Sequence, residues 1–451
     1  MSSFFLRRTA CLAIGSLAAL LVAMKPSCGE SGEKAAAELP APFATESAIK
    51  HPEVIGWPED KKPEAPEGFR VEAFARDLEN PRWLHVLLNG DVLVAQARTM
   101  PKKPKPEENA GKPAEAKETE TKQKKGMKKS KTVTGDSPNV ITLLRAADGA
   151  GDPEIRETLL EGLRQPFGMA LVDDTLYVAA TDALMAYPYK LGETRIDGEG
   201  KKVIDLPAGG YNNHWTRNIL ANSDGSKLYL SVGSASNVGE HGMAEEKLRA
   251  NILEVNPDGT GLRVFASGLR NPVGLDWQPA SGALWTAVNE RDELGDELVP
   301  DYLTSVQEGA FYGWPYSYFG DHEDPRMKGQ RPDLVKKAVI PDLALGAHTA
   351  SLGLAFYDAD AFPEKYRGGA FIGQRGSWNR SEFVGYRVAF APFDDGQPSG
   401  EVEDFLTGFI ANENEVYGRP VGVAVAADGA LLVADEPANI VWRVSVEKGD
   451  R

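Results

Sequence analysis

The sequence has 451 residues, of which 42% are hydrophobic and 26% are charged, and its net charge is −16 at pH 7. This length exceeds the ~100–200 residues of a typical single domain, which favours a fold built from repeated units. The acidic charge excludes the broad basic face that binding to double-stranded nucleic acid requires. Both cysteines, Cys11 and Cys28, lie near the N-terminus, so disulfides and thiolate catalysis are excluded for the body of the chain.

The N-terminal residues 1–28 are predicted to be a signal peptide. Arg7 and Arg8 precede an apolar run over residues 10–24, which is short for a membrane-spanning helix. The paired arginines suggest twin-arginine export, and Cys28 leaves lipid attachment open as an alternative. We therefore expect a periplasmic or otherwise exported protein, membrane-associated if it is lipidated, with no transmembrane domain in the mature chain.

Two further segments lack a strand pattern. Residues 29–66 are rich in Ala, Pro, Glu and Lys and are predicted to be a disordered tether. Residues 101–136 have the same bias and no aromatic side chain, and they are locally basic. This segment is predicted to be a disordered insertion in a loop, with a partner-docking arm as the alternative.

The body of the chain, residues 67–446, repeats one pattern six times. An apolar strand is followed by a polar turn, often Asp-Gly or Asn-Gly, and by a second apolar strand, which is the strongest short-range signal for a β-hairpin. The six hairpins fall at residues 81–94, 166–178, 216–230, 272–286, 352–372 and 420–433. They predict an all-β six-bladed propeller, in which a strand over 69–74 pairs into the last blade and closes the ring. A pair of β-sandwiches or a β-helix is the alternative.

The residues just before the first strand of each repeat are expected to converge at one mouth of the central channel. These positions hold Gln165, His214, Arg270, His348 and Arg419, with Asn213 and Asn271 beside two of them. Any one of them could instead be a turn anchor. The sequence has no HExxH, no Gly-x-Ser-x-Gly, no Gly-x-Gly-x-x-Gly after a strand and no Walker loop, which disfavours a histidine zinc site, a serine hydrolase, and nicotinamide, flavin or ATP chemistry.

Four stretches in a fixed order carry a family resemblance. They read YNNHWTRNIL at 211–220, SGLRNPVGL at 267–275, NERDELGDE at 289–297 and YGWP at 312–315. The sequence resembles the soluble pyrroloquinoline quinone (PQQ)-dependent glucose/aldose and sorbosone dehydrogenase family over roughly residues 67–445. The resemblance implies an oxidoreductase that transfers hydride from an aldose, a sorbosone-like sugar or a related sugar to PQQ. It also implies a periplasmic electron acceptor.

The resemblance also implies roles for individual residues. His214 matches the general base that takes the proton of the substrate hydroxyl. Better-known family members have an Asp before this histidine, whereas this chain has Asn213. Arg270 and Asn271 match the pair at the reactive carbonyl of the quinone.

Further matches concern the cofactor and a metal ion. Arg375 and Arg419 match basic partners of the quinone, and Gln165 is a looser match to a glutamine on the cofactor or substrate side. Two consecutive backbone carbonyls, those of Asp292 and Glu293, are expected to hold Ca²⁺. A calcium-dependent lactonase-type propeller hydrolase and a non-catalytic propeller that binds a glycan or a protein remain as alternatives.

Overall fold

The computed structural model describes residues 39–100, 135–146 and 152–447. The predicted signal peptide, the first part of the predicted tether and almost all of the predicted insertion lie outside these residues. In the described part of the chain, no helix has the length and apolar character needed to cross a bilayer.

The strands of the described residues form six four-stranded antiparallel sheets, called blades 1 to 6 here, together with three two-stranded ribbons. The first strands of successive blades contact one another around a closed ring, so they are the innermost strands. From the innermost strand outward, the blades consist of Pro81–Val86, Val92–Gln96, Val140–Arg145 and Ile155–Leu160 (blade 1); Met169–Val172, Thr175–Ala179, Ala183–Pro188 and Lys201–Asp205 (blade 2); Arg217–Ala221, Leu228–Val232, Asn251–Val255 and Arg263–Ser267 (blade 3); Pro272–Trp277, Leu284–Val288, Pro300–Ser305 and Leu343–Ala347 (blade 4); Ala355–Phe356, Ala370–Gln374, Arg387–Ala391 and Glu403–Leu406 (blade 5); and Pro420–Val425, Leu431–Asp435, Ile440–Val446 and Phe69–Ala75 (blade 6). The predicted six-bladed propeller is confirmed.

Each predicted hairpin forms the two inner strands of one blade. In blade 3, Arg217–Ala221 pairs with Leu228–Val232, and the turn between them places Gly225 at a φ of +69°, which residues with a Cβ rarely adopt. The second strands are buried along their whole length in several blades, because the faces of neighbouring blades pack on both of their sides. The Trp83 ring of blade 1, for example, lies 4.6 Å from the Phe167 ring at the start of blade 2.

The ring is closed by a strand from the beginning of the chain. Phe69–Ala75 pairs antiparallel with Ile440–Val446, with Phe69 opposite Val446, as the sequence predicted. This pairing gives blade 6 its fourth strand and ties the two ends of the propeller together.

Residues 39–66, which were expected to belong to a tether, lie instead against the propeller. Glu53–Val54 forms a short parallel ribbon with Glu415–Val416. The Trp57 indole Nε1 donates a hydrogen bond to Asp435, with a distance of 2.7 Å. The Pro- and Glu-rich composition of this segment concealed these contacts, because a few backbone pairs and one aromatic anchor hold it without any strand periodicity. We call residues 39–66 the strap.

The remaining regular elements are short. They are the ribbons Ser317–Tyr318 with His322–Glu323 and Phe393–Asp394 with Gln397–Pro398, the helix Pro332–Val335 and the 3-10 helix Glu364–Tyr366. All lie in connections between strands, outside the inner ring.

Candidate active site

A cavity of about 430 Å³ lies at one mouth of the channel. In an antiparallel hairpin, the start of the first strand and the end of the second strand meet at the same edge of the sheet. The cavity is therefore lined by two sets of residues. One set lies at or before the first strands and includes Arg82, Asn213, His214, Arg270, Asn271 and His348; the other follows the second strands and includes Thr99, Asn237, Asn289, Asp292, Glu293, Arg375, Trp378 and Asn379. A larger cavity, about 570 Å³, contains none of the predicted site residues.

His214 is held as a neutral imidazole. Its Nδ1 lies 2.8 Å from the carbonyl oxygen of Ser234, which can only accept a hydrogen bond, so Nδ1 carries the proton and Nε2 keeps its lone pair. Burial, and then the charge of Arg270, lower the pKa of His214 well below its usual value of 6.5. The side chain of Asn213 is exposed, so the Ser234 carbonyl orients the ring where other family members are expected to use an Asp.

Arg270 lines the cavity, but the protein already satisfies its donors. Nε and Nη2 donate to the backbone and side-chain oxygens of Asn237, at 3.2 and 2.9 Å, and Nη2 also approaches Asp292 at 3.4 Å. Nη1 donates to the carbonyls of Asn289 and Glu290, at 3.1 and 2.6 Å. Five acceptors thus match the five N–H bonds of the guanidinium, and all of its donors are bonded within the protein.

Arg375 and Arg82 share one buried carboxylate, that of Glu436. Arg82 Nη1 donates to Glu436 Oε1 at 2.6 Å, and Arg375 Nε donates to Oε2. Burial alone would raise the pKa of Glu436, but Arg375 and Arg82 together hold it far below its usual range, so the carboxylate is ionised. No described residue accepts a hydrogen bond from the two terminal amino groups of Arg375, so this wall of the cavity keeps cationic donors free.

Two predicted residues do not line the cavity. Gln165 is buried, and its amide donates to the Arg98 carbonyl at 2.9 Å. Arg419 is also buried, and it donates to the carbonyls of Arg375 and Gly376 at 2.9 and 2.6 Å. Arg419 therefore supports the backbone that carries Arg375. The side chains of Gln165 and Arg419 both anchor turns, which was the alternative role given for these positions.

Asp292 and Glu293 line the cavity, but the Asp292 carbonyl is already bonded within the protein. The Asp292 carbonyl, a predicted ligand, accepts hydrogen bonds from Arg291 Nη2 at 2.7 Å and from Arg291 Nε at 3.0 Å. The Glu293 carboxylate is paired with Arg326. Among the described residues, no group of three or more His, Cys, Asp or Glu side chains is arranged to hold a metal ion.

Comparison with known proteins identifies the family. The sequence profile described as glucose/sorbosone dehydrogenase matches residues 179–377, which include His214, Arg270 and Arg375. An uncharacterized protein of Borreliella burgdorferi is 31% identical over 304 residues, covering 64% of this chain and 78% of that protein. The chain belongs to the glucose/sorbosone dehydrogenase family. A second profile, described as TrAA12-like, matches residues 327–446.

Two further relatives have names that state an activity. The aldose sugar dehydrogenase YliI of Escherichia coli is 25% identical over 195 residues, covering 39% of this chain and 50% of YliI. The pyrroloquinoline quinone-dependent pyranose dehydrogenase of Coprinopsis cinerea is 26% identical over 306 residues, covering 53% of this chain and 41% of that enzyme. The chain thus matches about half or less of the length of these two proteins.

Solved structures agree with the fold of the glucose/sorbosone dehydrogenase family. The iodide structure of the Trichoderma reesei AA12 protein has a TM-score of 0.66 at 19% identity, covering 85% of this chain and 98% of that chain. The holo form of the PQQ domain of the Coprinopsis cinerea pyranose dehydrogenase also has a TM-score of 0.66 at 19% identity, covering 88% of this chain and all of that domain. At this identity the similarity concerns the propeller fold.

The cavity fits the quinone cofactor that the family resemblance implies. The terminal amino groups of Arg375 are free to bind carboxylates, and the Arg82 guanidinium lies 4.9 Å from the Trp215 ring in the same wall. Asn271 lines the cavity beside Arg270, and its Oδ1 is buried against Gly233 without a hydrogen-bond partner in the described structure. The cavity volume lies within the ~300–1,000 Å³ of small-molecule sites.

Sequence reasoning missed several residues of the cavity and its support. Arg82 is the second residue of the first strand of blade 1, and the positional rule that selected His214 took only residues before the first strands. Asn237, Asn379 and Glu436 follow second strands, and the rule did not include those positions. Adding the ends of the second strands to the rule recovers these three residues.

Proposed function

We propose that this chain is a PQQ-dependent oxidoreductase that oxidises an aldose, a sorbosone-like sugar or a related sugar. One observation carries the proposal: a neutral imidazole, His214, shares a cavity with the free amino groups of Arg375. The names of the Escherichia coli and Coprinopsis cinerea relatives support the same class of reaction.

His214 would act as the general base. Its Nε2 lone pair is available because Nδ1–H is tied to the Ser234 carbonyl, and this bond also selects the tautomer. A sugar hydroxyl bound next to Nε2 would give up its proton there. The quinone, when bound, supplies a hydride acceptor for the hydrogen on the same carbon.

Arg375 and Arg82 would hold carboxylates of the cofactor. Charge-assisted hydrogen bonds from guanidinium to carboxylate are about twice as strong as neutral ones, and Glu436 keeps both side chains oriented. Arg419 would contribute through the backbone of Arg375 and Gly376. Asn271 would line the site, and Arg270 would contribute its charge next to His214.

The alternatives receive less support. A lactonase-type hydrolase would need carboxylates grouped around calcium, and the acidic side chains at the cavity are paired with arginine or asparagine. A non-catalytic binding module does not need a base with a free lone pair. We further propose that the protein is exported and passes its electrons to a periplasmic acceptor.

The test is reconstitution. Apoprotein is mixed with PQQ, with and without Ca²⁺, and an artificial electron acceptor is followed by absorbance with a panel of aldoses, polyols and sorbosone. We expect quinone binding and reduction of the acceptor with at least one sugar, and neither signal from denatured protein. Absence of quinone binding under every condition would overturn the proposal. Binding without turnover on any substrate would favour a non-catalytic module.

A further inference from the structure

The acidic loop 290–297, which was expected to supply calcium ligands, is neutralised by the protein itself. Three of its carboxylates are paired with guanidinium groups: Asp292 with Arg270, Glu293 with Arg326 and Glu297 with Arg380. Asp296 accepts hydrogen bonds from the backbone and side chain of Ser381. Each of these carboxylates thus has a donor from the protein.

The remaining carboxyl group of the loop, that of Glu290, is buried and bonded locally. Its Oε2 accepts a hydrogen bond from the backbone N–H of Arg291 at 2.9 Å.

A permanent cation already contacts one of the two predicted ligand carbonyls, that of Asp292. Both Nη2 and Nε of Arg291 donate hydrogen bonds to the Asp292 carbonyl oxygen, so the lone pairs of this oxygen face the guanidinium. Arg291 is 1% exposed, and its Nη1 is fixed at 2.5 Å from the carboxylate of Asp324, which is also buried. Asp324 Oδ1 in turn accepts a hydrogen bond from the backbone N–H of Arg326. This bond fixes the carboxylate that the Arg291 guanidinium contacts.

Calcium and this guanidinium exclude each other at the carbonyl. Ca²⁺ requires about six to eight oxygen ligands at roughly 2.3–2.6 Å, and a carbonyl shared with Arg291 would bring the ion next to a buried positive charge. The charges that the quinone carboxylates need are present elsewhere in the cavity wall, on Arg82 and Arg375.

We infer that Arg291 takes the place of the calcium ion at the Asp292 carbonyl, and that this chain binds its quinone without a divalent cation. The inference rests on the proposed function. Arg291 is a positioning residue, because it does not line the cavity and it holds the loop that carries Asp292 and Glu293.

Quinone titration into chelator-treated apoprotein tests the inference. Binding is read from the quenching of tryptophan fluorescence, because Trp215 and Trp378 line the cavity, once with a chelator and once with excess Ca²⁺. We expect the two Kd values to agree within about twofold, whereas a required calcium ion would change Kd by more than about tenfold. A tenfold tightening with Ca²⁺ would overturn the inference and leave the proposed function standing.

The apoprotein provides a second readout that does not depend on the quinone. We expect Ca²⁺ to leave the Tm of the wild-type apoprotein unchanged and to raise the Tm of Arg291→Met, in which the Asp292 carbonyl is released. Arg326→Met, which removes only the partner of Glu293 at the surface, serves as the matched control and should not respond. If Arg291→Met does not fold, the wild-type measurement still decides, since a saturable rise in its Tm would contradict the inference. If the quinone binds in neither buffer, the proposed function fails while this Tm measurement still tests the role of Arg291.

Discussion

The two walls of the cavity differ in which hydrogen-bonding groups they leave without a partner in the described protein. On the wall from blades 3 and 4, the five donors of Arg270 are all bonded to protein acceptors, and His214 keeps a free lone pair. On the wall from blades 5, 6 and 1, the single carboxylate of Glu436 is shared by Arg82 and Arg375, and amino groups remain free. The first wall can take up a proton, and the second can hold an anion. Arg270 and Arg375 are the same residue type in one cavity, and the number of acceptors around each guanidinium separates their roles.

The largest effect is expected from the wall that takes up the proton. His214→Ala removes the base and should lower kcat by about 10²–10⁴-fold, because general-base catalysis contributes on this order. Quinone binding should change little, since its carboxylates contact the opposite wall. The measurement is a comparison of turnover with fluorescence titration of the quinone. His322→Ala, which changes a histidine outside the cavity, is the control, and equal loss of turnover in both variants would contradict the role of His214.

An intermediate effect is expected from the wall that binds the anion. Arg375→Gln should weaken quinone binding by about 10–100-fold, since a hydrogen bond to a charged group contributes about 1.5–3 kcal/mol. Turnover at saturating quinone should fall much less. Titration of quinone into the variant measures this. Arg263→Gln is the control, because Arg263 is on the outer strand of blade 3 and pairs with Glu254 and Glu308, neither of which lines the cavity. An unchanged Kd for Arg375→Gln would remove the distinction between the two walls.

The smallest effect concerns pH. Because burial and Arg270 lower the pKa of His214, the base stays neutral as the pH falls through 6.5, and kcat/KM should begin to decline only well below that value. Asn213→Asp places a negative charge beside the ring, which favours the imidazolium and should move the acid limb upward by less than about one pH unit. Profiles of kcat/KM against pH measure both effects, with Gln397→Glu on an exposed ribbon as the control for net charge. A wild-type limb at or above pH 6.5 would show that His214 is not held neutral as described.

The inner part of the fold could be predicted from the sequence, whereas the outer part could not. Each inner hairpin combines two buried apolar strands with a turn that requires positive φ, so both signals agree locally. Outer strands such as Lys201–Asp205 and Arg263–Ser267 are largely exposed on one face and read as polar segments. The strap was missed for a related reason, since Trp57 is a single anchor without periodicity around it.

The candidate site was predicted in part. Propeller geometry brings the starts of the first strands together, which correctly grouped His214, Arg270, Asn271 and His348. It could not tell whether a side chain turns into the cavity, as that of Arg375 does, or toward backbone carbonyls of another loop, as those of Gln165 and Arg419 do. That choice depends on which carbonyls lie within reach, and these are set by distant loops.

The strand that completes blade 6 also determines when the site can exist. Phe69–Ala75 finds its partner only after Ile440–Val446 has been synthesised, so the ring cannot close on a nascent or C-terminally truncated chain. The cavity is lined from blades 1, 3, 4 and 5, and Glu436 after the second strand of blade 6 holds Arg82 and Arg375 in place. The cavity therefore assembles in a late step that joins both ends of the polypeptide. A chain that must travel unfolded before it matures would carry no cofactor on the way and would become competent to bind one only at its destination.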